Sequence, residues 1–332
     1  MRWHGKGRVN PDGSARPRPL TSRSQFLDEF GESPAIYGSL PELRSSWSKI
    51  LQKMVAKYEI QPTVDETVHT RNVTLDHFWL RVYTPPGART SRPVGIYFHG
   101  GGWAMGAVDE EDAFCRLVSK HHRMIMVSVE YRLAPKYQYP IPLDDCVEAV
   151  KWSLENLQPP SVVLIGASAG GNLAFGAALK LADQHLGGNI QGVVSLVPVT
   201  VHPESVPAAM KSRYTSYETN ADATVNTASA MRTYFDAYAA PAEDIYTSCL
   251  LHPQLGQLKR VYIAECGADT LRDDARLMKE VLEDAGVPVA YDDYPGYPHY
   301  SWTFPSKHLD QHREEFLAKV LDGIKWVAGL DT

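Results

Sequence analysis

Residues 162–172 read VVLIGASAGGN, an apolar run that enters a turn of small residues with Ser168 at its centre. The pattern G-x-S-x-G is typical of a nucleophilic serine at a strained strand-to-helix turn, because bulky neighbours would block the chain there. The hydroxyl would lie at a helix start, where backbone N–H groups face incoming negative charge. Taken alone, the pattern fits equally well a turn whose glycines serve packing only.

A second group of candidate residues is His99-Gly100-Gly101-Gly102, directly after the apolar run VGIYF. Three successive glycines add nothing to packing, but they let the backbone approach a ligand and aim its N–H groups. Upstream of a nucleophilic serine, such a loop predicts an oxyanion hole, shared with the N–H group of the residue after the serine. A merely flexible loop is the weaker alternative, because the glycines stand at the end of a strand.

A nucleophilic serine needs a base, and the base needs a carboxylate that orients it. On a scaffold of alternating strands and helices, these partners follow the serine in the order acid, then histidine. Asp269 follows the strand-like run VYIAE, and His299 follows the run VAYDDYP. Both positions are expected on loops, so we predict a Ser168, Asp269 and His299 constellation.

Other acidic and histidine side chains in this region fit these roles less well. Two aspartates shortly after Asp269 are expected at an exposed helix start, and two more lie inside or at the end of a strand. Two histidines are expected to be solvated on a charged C-terminal helix. These residues are, in order, Asp273, Asp274, Asp292, Asp293, His308 and His312.

The elements that must position these residues alternate between short β-rich runs and helix-like spans. Continuous apolar strands alternating with helices indicate an α/β protein with a mostly parallel sheet covered on both faces. In such a sheet, ligands bind beyond the carboxyl ends of the strands. The predicted strands are 77–84, 94–100, 124–131, 162–166, 192–199, 261–265 and 289–295, and the helix-like spans are 109–121, 143–157, 171–186 and 270–285.

The chain divides into four predicted segments, 1–62, 63–199, 200–257 and 258–332. Segments two and four form the α/β core, and the third is a lid or cap insertion with a helix around 226–240. The first begins with a loose basic arm at 5–20 and continues into a helix signalled by the capping-box pair Ser39 and Glu42. The apolar stripe of that helix is expected to pack into the core rather than line a ligand pocket. Its members are Leu43, Trp47, Ile50, Leu51, Met54 and Tyr58.

Composition excludes several classes of partner. The net charge of −6 gives no reason to expect a nucleic acid or an anionic membrane. Four cysteines without CxxC pairs favour free thiols in a reducing compartment. The first residues lack the apolar core of a secretory signal, and no apolar run reaches the ~18 residues that span a bilayer. We therefore expect a cytoplasmic protein without stable membrane insertion; homodimerisation stays open.

Five ordered motifs carry a family resemblance: HGGGW, EYRLAPKYQYPIPLDD (130–145), GASAGGN, GADTLRDD (267–274) and PHYSW (298–302). Together they resemble the hormone-sensitive-lipase-like branch of the α/β-hydrolases, which comprises carboxylesterases and lipases. The resemblance extends from about residue 75 to 325. It implies an α/β-hydrolase fold, with an eight-stranded, mostly parallel sheet and a helical cap formed by the N-terminal segment and the 200–257 insertion.

The same resemblance implies roles for individual residues. Ser168, Asp269 and His299 would form the catalytic triad, and the backbone N–H groups of Gly101, Gly102 and Ala169 would hold the oxyanion. The YRLAP block would brace the oxyanion loop. Two departures stand out: Thr270 replaces a usual proline, and Tyr300-Ser301-Trp302 replaces a common Gly-Phe pair after the histidine.

The expected activity is hydrolysis of small to medium carboxylic esters through an acyl-enzyme, without metal or cofactor. Aromatic residues near the motifs suggest an apolar pocket, although some of them would be ordinary core; the candidates are Trp103, Met105, Tyr234 and Trp302, with Phe235 and Tyr238 nearby on the inserted helix. A formamidase, a thioesterase or a tailoring hydrolase of secondary metabolism is the alternative on the same scaffold. A non-catalytic small-molecule receptor is disfavoured, because family receptors lose the histidine that is present here as His299.

Overall fold

A computed structural model describes residues 22–59, 64–223 and 225–330 of the chain. The arm predicted at 5–20 lies outside these residues. A mixed sheet crosses the molecule in the strand order β1-β2-β4-β3-β5-β6-β7-β8. Its strands are β1 (His69–Thr74), β2 (Trp79–Thr84), β3 (Val94–Phe98), β4 (Met126–Glu130), β5 (Val162–Ala167), β6 (Ile190–Leu196), β7 (Val261–Cys266) and β8 (Val289–Tyr294).

Pairing within the sheet confirms the predicted eight-stranded, mostly parallel architecture. β2 runs antiparallel to both β1 and β4, and the pairs from β4 through β3 to β8 are parallel. Seven of the strands were predicted. β1 was missed because its sequence HTRNVT is polar and exposed at the sheet edge, so it lacks the apolar signal of a buried strand.

Helices cover both faces of the sheet, as predicted. Along β5, Val162 and Leu164 belong to one buried apolar cluster, whereas Val163 and Ile165 belong to the other. This alternation follows from the two-residue period of a strand. The helices are α1 (Ser22–Phe30), α2 (Leu40–Tyr58), α3 (Asp112–His122), α4 (Ile141–Leu157), α5 (Ala169–Asp183), α6 (Ser216–Thr219), α7 (Ala228–Tyr238), α8 (Arg272–Asp284) and α9 (Asp310–Val327). α4, α5 and α8 pack into the first cluster, and α3 and α9 pack into the second.

Helix α2 begins as its sequence predicts. The Glu42 carboxylate accepts hydrogen bonds from the N–H and the hydroxyl of Ser39, each at 2.7 Å. The expectation that its apolar stripe only packs into the core is wrong in part. Leu43 and Ile50 are buried in the core, but Trp47, Leu51 and Met54 line the cavity described below.

Segment 200–257 contains the predicted helix, which is α7, besides the short helix α6 and several 3-10 turns. α7 packs against α2, so the two helices lie together over the same region of the molecule. The limits of the four predicted segments stay a prediction. Among the described helices, none combines the length and the apolar character needed to cross a membrane.

Candidate active site

Ser168 stands in the sharp turn between β5 and α5. Its backbone angles, φ 56° and ψ −121°, lie in a region that non-glycine residues rarely adopt. The turn is possible because the residues two positions before and after the serine are glycines: a Cβ at Gly170 would overlap the carbonyl oxygen of Phe98 on the adjacent strand β3. The small residues therefore hold a strained serine at the carboxyl end of the sheet.

Asp269 and His299 meet on the loops that follow β7 and β8. Nδ1 of His299 lies 2.6 Å from Oδ2 of Asp269, and both side chains are buried. The other carboxylate oxygen, Oδ1, accepts the backbone N–H of Leu271 at 3.0 Å and a weaker contact from Asn226 at 3.5 Å. Asp269 is thus held in one orientation and fixes the tautomer in which Nδ1 of His299 carries the proton.

Ser168 and His299 line one cavity, in which they face the same space. Within the described residues, the Ser168 hydroxyl has no hydrogen-bond partner. Hydrogen bonds between a nucleophile and its base are often long without substrate and tighten only when substrate binds. The structure therefore brings together all three residues of the predicted constellation.

The oxyanion loop presents its N–H groups beside the serine. Gly101 and Gly102 adopt φ of 109° and 59°, and a Cβ at Gly102 would overlap the ring of Tyr234. In the described chain, the N–H groups of these two glycines donate to no backbone carbonyl. Ala169 is the first residue of α5, where N–H groups have no partner within the helix. All three predicted donors are therefore unengaged.

The YRLAP block, residues 131–135, is hydrogen-bonded to this loop. The Tyr131 hydroxyl donates to the carbonyl of His99 at 2.9 Å, and the two rings stack with centroids 4.1 Å apart. The N–H of Ala134 donates to the carbonyl of Trp103 at 3.0 Å. These contacts are those expected of a bracing role. Sequence reasoning missed a further brace, the Arg44 guanidinium on α2, which donates to the carbonyl of Ala104 at 2.6 Å.

The departure at Thr270 adds a contact of its own. Its hydroxyl lies 2.6 Å from the carbonyl oxygen of Asn226 and 2.9 Å from that of Asn220. A proline could form neither bond. Thr270 therefore ties the loop of Asp269 to the 200–257 segment.

The cavity has a volume of about 280 Å³. Met105 and Tyr234, two of the predicted pocket residues, line it, and the Tyr234 hydroxyl lies 3.3 Å from the sulfur of Met105. The expectation for Trp103 is wrong: φ of 57° turns its side chain into the core, where it stacks on Tyr238 at 4.5 Å. Tyr238 and Phe235 are likewise buried and outside the cavity lining.

The expectation for Trp302 is also wrong. It stacks on Phe316 of α9 with ring centroids 4.0 Å apart and does not line the cavity. Tyr300, two residues earlier, lines the cavity instead. Glu110 and Glu111 also line it, and sequence reasoning missed both. Their only sequence signal was their position shortly after the glycine loop.

Two expectations about the competing residues need correction. Asp273 and Asp274 are buried rather than exposed, because they anchor the 200–257 segment: Asp273 accepts the N–H of Thr215, and Asp274 accepts the N–H of Thr200. His312 is buried as well. It stacks on Tyr297 at 3.6 Å and shares a 2.8 Å hydrogen bond with Ser301. His308 is exposed, as expected.

Asp274 makes the stability of the fold depend on pH. Burial raises the pKa of its carboxyl from 3.8 to about 7, although hydrogen bonds from Thr200 and Tyr214 oppose the shift. The folded protein therefore retains a proton that the unfolded chain loses near pH 4, so stability falls as pH rises from about 4 to 7. Asp274→Asn mimics the protonated form. We measure the unfolding free energies of variant and wild type with urea. Between pH 4 and 7, the difference in favour of the variant should increase by up to about 1.4 kcal/mol per pH unit.

The matched control for this prediction is Asp273→Asn. Burial alone would raise the pKa of the Asp273 carboxyl, but hydrogen bonds from the Arg272 guanidinium and the Thr215 N–H hold this pKa below its ordinary value. Because a lowered pKa changes the protonation of Asp273 only below about pH 4, the difference in unfolding free energy between this control and the wild type should stay constant from pH 4 to 7. Parallel pH profiles for the wild type and Asp274→Asn would contradict a protonated Asp274.

Across residues 22–59, 64–223 and 225–330, no three His, Cys, Asp or Glu side chains lie together in a way that would hold a metal ion.

The chain matches a known protein family and is similar in sequence to two esterases. Residues 95–303 match a family model described as alpha/beta hydrolase fold. The chain is 51% identical over 305 residues to the versiconal hemiacetal acetate esterase of Aspergillus parasiticus, covering 92% of this chain and 97% of that protein. It is 50% identical over 283 residues to the versiconal hemiacetal acetate esterase of Emericella nidulans, covering 85% and 98%.

Two further matches are narrower in what they show. The chain is 51% identical over 276 residues to an FAD-linked oxidoreductase of Aspergillus terreus, but the match covers 83% of this chain and 34% of that protein, so the similarity concerns one part of a longer chain.

 The crystal structure of vibralactone cyclase superposes with a TM-score of 0.76 at 23% identity, over 99% of this chain and 97% of that chain. At that identity the likeness shows the fold alone.

Proposed function

The chain belongs to the α/β-hydrolase family as a carboxylic ester hydrolase, and from this premise we propose that it removes short acyl groups, acetate above all, from a ring-bearing alcohol of secondary metabolism. The observation that carries the proposal is the convergence of Ser168, the Asp269–His299 pair and the unengaged N–H groups of the glycine loop on one cavity. The names of the two esterase relatives, both of which this chain covers almost completely, support an acetate ester as substrate.

The proposed mechanism assigns one step to each group. His299 takes the proton of Ser168 as the hydroxyl attacks the ester carbonyl, and Asp269 stabilises the imidazolium that forms. The N–H groups of Gly101, Gly102 and Ala169 hold the oxyanion, a contribution of roughly 3–4 kcal/mol per donor in comparable sites. The alcohol leaves with the proton from the imidazolium, and water, activated by the same base, hydrolyses the acyl-enzyme.

A short acyl group is supported by the wall beside the oxyanion loop. The ring of Tyr234 lies directly over Gly102, and its hydroxyl contacts the sulfur of Met105. This contact leaves little room next to the N–H groups that would hold the carbonyl oxygen. The apolar side chains of three α2 residues also line the cavity, and they suit a ring system; these residues are Trp47, Leu51 and Met54.

The test is a panel of 4-nitrophenyl esters with acetyl, butyryl and octanoyl groups, together with formanilide. We expect kcat/KM to fall at least about tenfold from acetate to octanoate, because each methylene that cannot be accommodated costs about 1–3 kcal/mol. Formanilide should be turned over far more slowly than the acetate. A preference for octanoate would contradict the short acyl group, and turnover of formanilide without turnover of esters would favour the formamidase.

The alternatives differ in what supports them. The tailoring hydrolase is compatible with the proposal, because the two esterase relatives are named for the acetate ester of a larger molecule, versiconal hemiacetal acetate. A receptor is disfavoured, because the base and its carboxylate are both in place. Oxidoreductase chemistry does not carry over, because that similarity concerns about a third of the longer protein.

We also propose a cytoplasmic location. The four cysteines, Cys115, Cys146, Cys249 and Cys266, are all buried free thiols. Thiols without disulfides fit a reducing compartment. Fractionation of cells that express the native chain tests this, and recovery from a secreted fraction would contradict it.

A further inference from the structure

Two chemically different groups of side chains line the cavity. Trp47, Leu51 and Met54 are apolar, whereas Glu110, Glu111 and Tyr300, here called the polar wall, carry carboxyl and hydroxyl groups. No lysine or arginine is among the described residues that line it. A cavity that needs only to hold an apolar ester has no use for carboxyl groups, which are costly to desolvate.

Tyr300 is held with its hydroxyl in the cavity. Its ring stacks on Trp302 at 5.0 Å, and Trp302 in turn stacks on Phe316. A Cβ at Gly100 would overlap the Tyr300 hydroxyl, so this oxygen reaches the first glycine of the oxyanion loop. The hydroxyl has no hydrogen-bond partner in the described part of the chain. Packing therefore fixes a donor whose bonding capacity is unused.

Glu111 lies at the end of the 3-10 turn Val108–Glu111, which follows the glycine loop. Burial raises the pKa of its carboxyl to about 7, although a hydrogen bond from Tyr97 opposes the shift and the charge of Glu110 adds to it. Burial also raises the pKa of Tyr300, and the charges of Glu111 and Glu110 raise it further. Tyr300 therefore stays protonated as a donor, and Glu111 is an acceptor at pH 8.

We propose that Glu111 and Tyr300 are specificity-determining residues that bind an uncharged hydroxyl or carbonyl group on the alcohol part of the substrate and repel alcohols that carry a carboxylate. This inference rests on the proposed function, because a small acyl group leaves the polar wall to the alcohol. The Tyr300 hydroxyl donates to an oxygen of the alcohol, and the Glu111 carboxylate accepts from a hydroxyl. An anionic group meets two carboxyl groups and no compensating cation.

The experiment compares kcat/KM at pH 8 for phenyl acetate, 3-hydroxyphenyl acetate and 3-acetoxybenzoate. In Tyr300→Phe and in Glu111→Gln, we expect the preference for 3-hydroxyphenyl over phenyl acetate to fall about 5- to 10-fold, as expected from one lost hydrogen bond. In Glu111→Gln, the relative rate with 3-acetoxybenzoate should rise about tenfold. Ratios between substrates cancel effects common to all of them, such as a partly misfolded preparation.

Tyr234→Phe is the matched control, because it removes from the same cavity a hydroxyl that already contacts the sulfur of Met105, and it should leave both ratios within twofold. Ratios that also stay within twofold in Tyr300→Phe and Glu111→Gln would overturn the inference, since a purely structural wall would change all substrates alike. If the wild type fails to hydrolyse phenyl acetate, the proposed function is contradicted instead. Ligand-observed NMR with resorcinol and 3-hydroxybenzoate then tests the wall: it is upheld if the wild type prefers resorcinol and Glu111→Gln loses that preference, and overturned if the two proteins bind alike.

Discussion

Ser168→Ala is expected to lower kcat for 4-nitrophenyl acetate by about 10⁴- to 10⁶-fold while the protein remains folded. Without the hydroxyl no acyl-enzyme can form, and only the oxyanion donors and the binding of substrate remain to accelerate hydrolysis by water. The substitution also removes an oxygen that has no partner within the described residues, so no protein hydrogen bond is lost. Steady-state kinetics, with circular dichroism to verify the fold, measure this effect.

Ser195→Ala is the matched control for the nucleophile. Ser195 is a buried serine on β6, the strand next to β5, and its hydroxyl also lacks a hydrogen-bond partner among the described residues. We expect its activity to stay within about twofold of the wild type. A fluorophosphonate probe should label the wild type and Ser195→Ala but not Ser168→Ala. Labelling of Ser168→Ala, or more than a tenth of the wild-type activity in it, would remove Ser168 from the role of nucleophile.

The features that sequence predicted best are those with short-range causes. β-rich runs of five to eight residues predicted seven strands. The signal is clearest for β3, β5 and β7, because a strand buried on both faces needs apolar side chains along its whole length. The small residues around Ser168 and the glycines after His99 indicate locally which backbone conformations and close approaches are possible there. The loops that follow β7 and β8 place Asp269 and His299 at the same edge of the sheet, so their encounter followed from the topology.

What sequence did not predict depends on long-range packing. A local pattern does not say into which side of a loop a ring turns, so Trp103 and Trp302 were expected in the cavity and lie in the core. Asp274 was expected at an exposed helix start, but the 200–257 segment folds over it. The polar wall was not predicted for the same reason. In the sequence, Glu111 looks like any acidic residue at a helix start, and only the fold shows which residues surround it.

Asp269→Asn is expected to lower kcat by about 10⁴-fold, because an asparagine here would favour the wrong tautomer of the base. Oδ1 of Asp269 accepts hydrogen bonds from Leu271 and Asn226, both of which are donors. The asparagine oxygen would take that side, and its NH₂ group would point at Nδ1 of His299. The imidazole would then carry its proton on Nε2, which could no longer accept the proton of Ser168.

Asp273→Asn separates this effect from the mere loss of a buried charge. Asp273 is equally buried and is paired with Arg272, but it accepts the N–H groups of Thr215 and Ser216 rather than contacting the base. Its loss should lower the unfolding free energy by about 1–3 kcal/mol and leave kcat within about threefold. The reverse outcome, with activity lost in Asp273→Asn and kept in Asp269→Asn, would transfer the orienting role to Asp273. Because the two carboxylates differ in which group they hold, only the one bound to His299 can control the position of its proton.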